Sequence, residues 1–274
     1  MTLKRADPKD TGSGSWYMTS VRELSELKAE ARASGKKVHY GRIAELCAQK
    51  HSELPDDNPL KKYKGRDVFL GDQGRDEHNE WAEFSDLGST PPSLEACIAV
   101  DAFSCVKGYK LKTGDAIGAY TQSYLAGKVD TWVILPENRW PKEWRQRGFH
   151  TPCVRLVLAL YGHPDAGTFW ENECGERLTN IGWERFDEST PNIFWRADIR
   201  AVLAVYVDDF KCAAPEEHHD QIWHEIGAVI DMEPEVEDER FLGCKVQSFT
   251  AKAKDVEPLL LPVSYTHLTL PTKA

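Results

Sequence analysis

Residues 201–214 read Ala-Val-Leu-Ala-Val-Tyr-Val-Asp-Asp-Phe-Lys-Cys-Ala-Ala. Two apolar runs, rich in residue types that favour strands, flank the adjacent carboxylates of Asp208 and Asp209, so we expect a β-hairpin with both acids at its turn. Carboxylates this close repel each other, and the arrangement costs stability unless a positive charge neutralises them. A divalent ion that prefers oxygen ligands, such as Mg²⁺, meets that need. The alternative is an ordinary polar turn.

Length and composition indicate a globular protein. The 274 residues are enough for one large domain or two small ones. No apolar run reaches roughly 18 residues, and residues 1–8 are polar and charged, so we expect neither a membrane span nor a signal peptide. The seven cysteines are scattered and form no Cys-x-x-Cys pair, which argues against a zinc ribbon and a disulfide framework. This cysteine usage favours a reducing, intracellular compartment.

The net charge of −10 is concentrated in one segment. Residues 213–239 contain ten acids and no Lys or Arg, and the remainder of the chain has 34 acids (44 − 10) against 34 bases. The acidity is therefore local, and the composition leaves room for a basic groove elsewhere. We interpret the acidic segment as a solvated helix face followed by an acidic loop.

Patterns along the chain predict an α+β protein. Residues 1–20 are rich in Gly, Ser and Asp and predict disorder, whereas helical spacing of apolar residues predicts a helical lead-in over residues 21–52. The order of the remaining elements predicts a sheet with helices packed on one face. Further helices are predicted at 93–103 with Ser93 as N-cap, at 116–125, at 154–181 with an interruption near residues 162–164, and after Pro215. Strands are predicted at 109–113, 131–135, 192–195 and 241–249.

A two-metal site needs a third carboxylate, because one aspartate pair binds a metal ion weakly. Asp115 is the best candidate, since it follows the strand predicted from Tyr109 and precedes a predicted helix. If that strand lies beside the hairpin, Asp115, Asp208 and Asp209 converge at one end of the sheet. Such a site could activate an attacking hydroxyl and hold triphosphate oxygens. The alternative for Asp115 alone is a helix N-cap.

The chain resembles the reverse transcriptase domain of copia-type LTR retrotransposon polyproteins. The box Tyr206-Val207-Asp208-Asp209 matches the catalytic motif of that family, and Asp115-Ala-Ile-Gly-Ala-Tyr120 resembles its Asp-x-x-x-Ala-aromatic box. Further resembling motifs follow the order of the family between residues 61 and 250: Lys62-Tyr63-Lys64-Gly65-Arg66, Thr131-Trp132-Val133 with Pro136, Leu160-Tyr161-Gly162 with Ala166 and Trp170, and Phe241-Leu242-Gly243.

The resemblance implies a right-hand polymerase, with fingers and an antiparallel palm sheet over residues 61–250 and a lead-in over residues 1–60. The implied activity is that of an RNA-directed DNA polymerase, in which Asp115, Asp208 and Asp209 hold two Mg²⁺ ions, with Mn²⁺ as a substitute. The implied partners are an RNA template, a DNA primer, dNTPs and the RNase H and integrase regions of a full polyprotein, with no membrane. The implied compartment is the cytoplasm, within particles, or the nucleus.

The resemblance also assigns roles beyond the carboxylates. Tyr120 would stack under the incoming sugar and exclude a 2′-hydroxyl, and Lys64 and Arg66 would bind phosphates. The alternatives are a buried helix aromatic for Tyr120, a solvated basic turn for Lys64 and Arg66, and a core strand for residues 241–243. The implied nucleotide pocket comprises Lys64, Arg66, Tyr120, Gly162, Asp165 and Tyr206, and the implied primer grip comprises Phe241, Leu242 and Gly243.

Two departures from the family pattern bear on activity. Asp165 stands where the family has Gln, and residues 67–71 lack one base of the family pattern. An inactive retroelement remnant that only binds nucleic acid is therefore one alternative, and an unrelated acidic interaction protein is another. Residues 251–274 form a tail, of which 263–274 resemble translated sequencing-adapter DNA, so we exclude them from the fold and expect the natural chain to continue differently.

Overall fold

The computed structural model describes residues 14–84, 91–187, 190–237, 240–242 and 244–245. Within these residues the chain is an α+β protein, which confirms the predicted class. No helix of the described part is long and apolar enough to cross a membrane. The elements are β1 (Trp16–Glu23), α1 (Leu24–Ser34), β2 (Val38–Lys50), β3 (Lys62–Phe69), β4 (Arg75–Asp76), α2 (Leu94–Ser104), β5 (Tyr109–Asp115), β6 (Asp130–Ile134), α3 (Lys142–Gln146), β7 (Pro152–Leu156), α4 (Ala166–Asn180), β8 (Glu184–Arg185), β9 (Ile193–Arg196), β10 (Ala201–Tyr206), β11 (Asp209–Pro215), α5 (His219–Val229), β12 (Val236–Glu237), β13 (Arg240–Phe241) and β14 (Cys244–Lys245).

The first sheet, here called the N-terminal sheet, has the strand order β1-β7-β6-β2-β3, with β4 beside β2. Strands β2 and β6 run parallel, and the other pairs are antiparallel. Ile43, near the middle of β2, and Phe69, at the end of β3, pack in a core with Val133 and Val154. The outer parts of β2 and β3 are exposed. Residues 43–50 of β2 pair with residues 62–69 of β3, and this part of the two strands, here called the β2–β3 hairpin, projects from the sheet.

The second sheet, here called the C-terminal sheet, is antiparallel throughout, with the order β12-β5-β11-β10-β9-β8. The predicted hairpin forms its centre as β10 and β11, and the predicted strand from Tyr109 pairs with β11 as β5. The predicted strands 131–135 and 192–195 also form, and the Ser93 hydroxyl caps α2 by accepting from the Ala96 N–H at 3.1 Å.

Helices cover both faces of the C-terminal sheet, so the prediction of one covered face is wrong. On one face, Leu203 and Cys212 pack in a core that includes α4 and α5. On the other, Ala204 and Ala213 pack against Cys97 and Val100 of α2. Successive residues of a strand point to opposite faces. The nearly continuous apolar runs of β10 and β11 therefore bury both faces.

Five further predictions of secondary structure are wrong in part. Residues 16–20 and 38–50 are strands rather than disorder and helix, because they pair with β7, β6 and β3. Of the predicted helix 154–181, only Ala166–Asn180 is helical; Pro152–Leu156 is a strand, because short apolar runs do not separate strand from helix by periodicity. Of residues 116–125 only Ala119–Gln122 is helical, as a 3-10 turn that begins after Gly118 at φ 62°. In place of the single strand predicted at 241–249, the short strands β13 and β14 pair with each other, and residues 246–249 lie outside the described part.

Candidate active site

Three carboxylates meet at one end of the C-terminal sheet. Asp115, the last residue of β5, lies directly opposite Asp209, the first residue of β11. Side chains opposite each other in an antiparallel pair have Cβ atoms about 5 Å apart. Asp208 precedes Asp209, and its carbonyl accepts from the Ala116 N–H at 2.7 Å. The register therefore brings together the three predicted acids, and Asp115 does not cap a helix, since the next turn is capped at Gly118.

The negative charges of Asp115, Asp208 and Asp209 repel one another. Burial, and then the charges of Asp208 and Asp115, raise the pKa of the Asp209 carboxyl to about 6, while a hydrogen bond from the Leu242 N–H opposes the shift. A carboxylate with this pKa is ionised at neutral pH only at a cost in free energy. A cation between the acids would remove that cost.

The turn between β10 and β11 is held by a hydrogen bond from α4. Val207 adopts φ 54°, a left-handed conformation that is unfavourable for a β-branched residue. The indole N–H of Trp170, which is 1% exposed, donates to the Val207 carbonyl at 2.7 Å. Strained backbone of this kind persists where the surroundings over-determine it, and it clusters at functional sites.

An aromatic pair lies between the carboxylates and the β2–β3 hairpin. Tyr120 is half-buried and contacts Tyr161 edge-to-face, with ring centroids 4.7 Å apart. The Arg66 guanidinium lies 5.0 Å from the centroid of the Tyr161 ring. Burial, and then the charge of Asp208, raise the pKa of Tyr161 to about 12 and also raise the pKa of Tyr120. Sequence reasoning assigned no role to Tyr161, although it precedes Gly162 in a recognised motif.

The β2–β3 hairpin carries a row of bases on one face. Lys50 lies opposite Lys62, and Lys64 and Arg66 follow on the same face of β3. Burial lowers the pKa of Lys64, as do Arg66 and Lys50, whereas Asp208 and Glu233 raise it. Lys64 is therefore within the electrostatic field of the carboxylate site. Lys64 and Arg66 lie on a strand and not on a turn, and Lys50 was not predicted.

A cleft of about 300 Å³ opens between the β2–β3 hairpin and the 3-10 turn Ala119–Gln122. This volume is at the lower end of the range for small-molecule pockets. Arg66 and Tyr161 belong to its lining, as do Leu46, Gly118 and Thr121. The cleft therefore adjoins the aromatic pair.

Three further residues of the predicted nucleotide pocket have clear structural roles. Gly162 makes a tight turn at φ 83°, where a Cβ atom would lie 2.1 Å from the Phe69 carbonyl. Asp165 is buried, and its charge acts on His39 of β2, where it partly offsets the desolvation that lowers the pKa of that imidazole. Tyr206 ends β10 and packs toward α2, and it also contributes to raising the pKa of Tyr120. These three residues therefore support the site by stabilising the structure around it.

The predicted primer grip is described in part. Phe241 is buried against the α2 face of the C-terminal sheet. Leu242 is 37% exposed, with φ 50°, and its N–H reaches the Asp209 carboxylate. Gly243 lies outside the described residues. The segment around Leu242 therefore contacts the carboxylate site through its backbone.

Glu233 is a fourth acid beside the site that sequence reasoning missed. Its N–H donates to the Asp115 carbonyl at 2.8 Å, next to a bridge between Ala116 and Met232. This pairing joins residues more than a hundred positions apart, and no local pattern around Glu233 signals it.

The donor chemistry of the carboxylate site suits a hard divalent cation, because its ligands are carboxylate oxygens. Among the described residues, no group of three or more His, Cys, Asp or Glu side chains is arranged to hold a metal ion. Asp115 and Asp209 nevertheless occupy opposite positions of one strand pair, so their backbones already place both carboxylates at one sheet end.

Neither a scan against models of protein families nor a search of curated proteins found a match for the chain.

Proposed function

We propose that the chain is the fingers and palm of an RNA-directed DNA polymerase from a copia-type retroelement. The C-terminal sheet would be the palm, and the N-terminal sheet with its projecting hairpin would be the fingers. The observation that carries the proposal is the register of β5 with β11, which sets Asp115 opposite Asp209 and beside Asp208. The resemblance of the Tyr206–Asp209 box and the basic hairpin facing these acids support the same function.

Asp115, Asp208 and Asp209 would hold two Mg²⁺ ions, for which Mn²⁺ could substitute. When bound, the ions would supply charge stabilisation for phosphoryl transfer and lower the pKa of the primer hydroxyl. The repulsion that raises the pKa of Asp209 supports this assignment, since a bound cation would relieve it. The three acids also have the oxygen donors that Mg²⁺ prefers.

The remaining residues would bind and orient the substrates. Lys64 and Arg66 would donate charge-assisted hydrogen bonds to the triphosphate of a dNTP or to template phosphates. Tyr120 would pack under the sugar, where it leaves no room for a 2′-hydroxyl, and Tyr161 would support both Tyr120 and Arg66. Since these contacts are mainly to phosphates, binding of the RNA template and DNA primer would weaken with salt and tolerate many sequences. The RNase H and integrase regions of a polyprotein would complete the replication cycle.

Primer extension tests the proposal directly. The full chain is given an RNA template, a labelled DNA primer, dNTPs and Mg²⁺, beside the double variant Asp208→Asn, Asp209→Asn. Extension by the wild type that disappears in the double variant is the expected result. The control Asp220→Asn removes an exposed carboxylate of α5 that pairs with Lys112 and should extend primers normally.

Two outcomes would change the assignment. A folded wild type that binds primer–template without extending it would be the inactive remnant. A folded wild type that neither extends nor binds nucleic acid would refute the proposal in favour of an acidic interaction protein. Circular dichroism on the same samples establishes that each chain is folded.

A further inference from the structure

Two carboxylates face each other across the β2–β3 hairpin. Glu45 of β2 lies directly opposite Asp67 of β3. Like charges in directly opposite positions destabilise a strand pair, so the hairpin needs a cation at this point.

Arg139, in the turn that follows β6, supplies that cation. Its Nε donates to Glu45, and its Nη2 donates to Asp67 at 3.2 Å, so that one guanidinium joins both strands. Asn138 donates to the second oxygen of Glu45 at 2.8 Å. In the described part of the chain, no other cation forms an ion pair with either acid. The three side chains are 16–35% exposed, so solvent screens this contact less than it screens a fully exposed ion pair.

The turn that carries Arg139 is itself well anchored. The Arg139 N–H donates to the Pro136 carbonyl at 2.9 Å, and the Trp140 indole donates to the Leu135 carbonyl at 2.8 Å. Trp140 also packs against the core of the N-terminal sheet. The Arg139 side chain therefore extends from an anchored turn to a hairpin whose outer part is exposed.

The ion-paired acids lie just inside the basic outer part of the hairpin. Arg66 adjoins Asp67 in the sequence, and Lys64 lies three residues from it. Beyond Glu45 and Asp67, the contact of Arg66 with the Tyr161 ring ties the hairpin to the rest of the site. A change in the angle of the hairpin at Asp67 would therefore move Lys64 and Arg66 relative to the carboxylate site.

We propose that Arg139 is a positioning residue. By neutralising Glu45 and Asp67 it holds the β2–β3 hairpin in place, and it thereby keeps Arg66 on Tyr161 and Lys64 toward Asp208. The effect on nucleotide binding rests on the proposed polymerase function, whereas the effect on the hairpin does not.

Hydrogen exchange of the full chain tests the effect on the hairpin. In Arg139→Gln, amides of residues 44–50 and 62–67 should exchange about tenfold faster, because local opening becomes easier, while residues 201–214 keep their rates. The double variant Arg139→Gln, Asp67→Asn neutralises one of the two facing carboxylates, which removes their repulsion, and it should recover most of the protection. The control Arg147→Gln loses the same charge from a residue that stacks on Phe149, and it should exchange like the wild type.

Unchanged exchange in Arg139→Gln would overturn the inference, and so would equal acceleration in every segment, which indicates general destabilisation. Failure of the double variant to recover protection would also count against it. In an active polymerase, Arg139→Gln should raise the KM for dNTP several-fold and change kcat little; a fall in kcat alone would contradict positioning. A wild type that never extends primers refutes the polymerase proposal, and hydrogen exchange then decides the role of Arg139 by itself.

Discussion

Replacement of Asp209 by Asn should stabilise the metal-free protein and weaken its stabilisation by Mg²⁺. Burial, Asp208 and Asp115 together raise the pKa of Asp209 from 3.8 to about 6 in the folded chain. Asn has nearly the same shape but carries no charge, so the variant avoids both the desolvation of a carboxylate and the repulsion from its two neighbours.

The expected gain follows from the pKa shift. The difference between 3.8 and about 6 corresponds to about 3 kcal/mol, at 1.36 kcal/mol per pKa unit. Asp209 is only half-buried, and solvent screening reduces this to about 1 kcal/mol. Because the folded-state pKa is raised, the folded chain binds the proton more tightly than the unfolded chain. The wild type therefore loses this stability as the pH rises from about 4 to about 6, and the full cost is present above about pH 6.

Urea unfolding with a chelator, at pH 7.5 and at pH 4.5, measures this difference. Asp209→Asn should be more stable than the wild type by about 1 kcal/mol at pH 7.5, with most of the gap closed at pH 4.5. Addition of Mg²⁺ should stabilise the wild type more than the variant. Asp220→Asn serves as the control for loss of one acidic charge. A gap of the same size at both pH values would refute the electrostatic reasoning, since it could not come from the titration of Asp209.

Three further predictions concern the supports of the site. His163, in the turn before α4, is buried with its Nε2 3.1 Å from the Thr131 hydroxyl. Burial lowers the pKa of His163 from 6.5 to about 4, so the wild type should lose about 3 kcal/mol as the pH falls through that window. His163→Gln should lack this part of the pH dependence when stability is measured by urea unfolding. Trp170→Phe removes the donor to the Val207 carbonyl and should cost about 2 kcal/mol, with a larger loss of primer extension than of binding. Gly162→Ala should destabilise the fold by more than about 1 kcal/mol, because φ is positive and Phe69 obstructs the Cβ atom. Thermal unfolding measures this loss beside the control Gly227→Ala, whose Cβ atom meets open space, and an equal effect of the two substitutions would contradict the prediction.

The elements that the sequence predicted well have strong local signals. The hairpin around Asp208 and Asp209 has strand-forming runs on both sides of a short polar turn, and Ser93 is a standard N-cap before an apolar helix. The strand ending at Asp115 was equally clear. Each of these features depends on residues that are neighbours in the chain.

The elements that were predicted wrongly have ambiguous local signals. Residues 38–50 carry apolar residues at a spacing that suits a helix, but hydrogen bonds to β6 and β3 make them a strand. Residues 152–156 form a short apolar run that fits either state, and pairing with β1 and β6 decides between them. In both cases tertiary pairing outweighs a weak local preference.

By itself, the sequence determined that two carboxylates stand at the turn of an apolar hairpin and that Asp115 ends a strand. The tertiary structure alone decided that Asp115 lies opposite Asp209, that Glu233 joins them, and that Arg139 bridges two facing acids. Each of these contacts joins residues far apart in the chain, and it depends on which strands pair and in which register. Hydrophobic periodicity identifies the buried face of a strand but does not identify its partner, so only the assembled sheets bring these charges together.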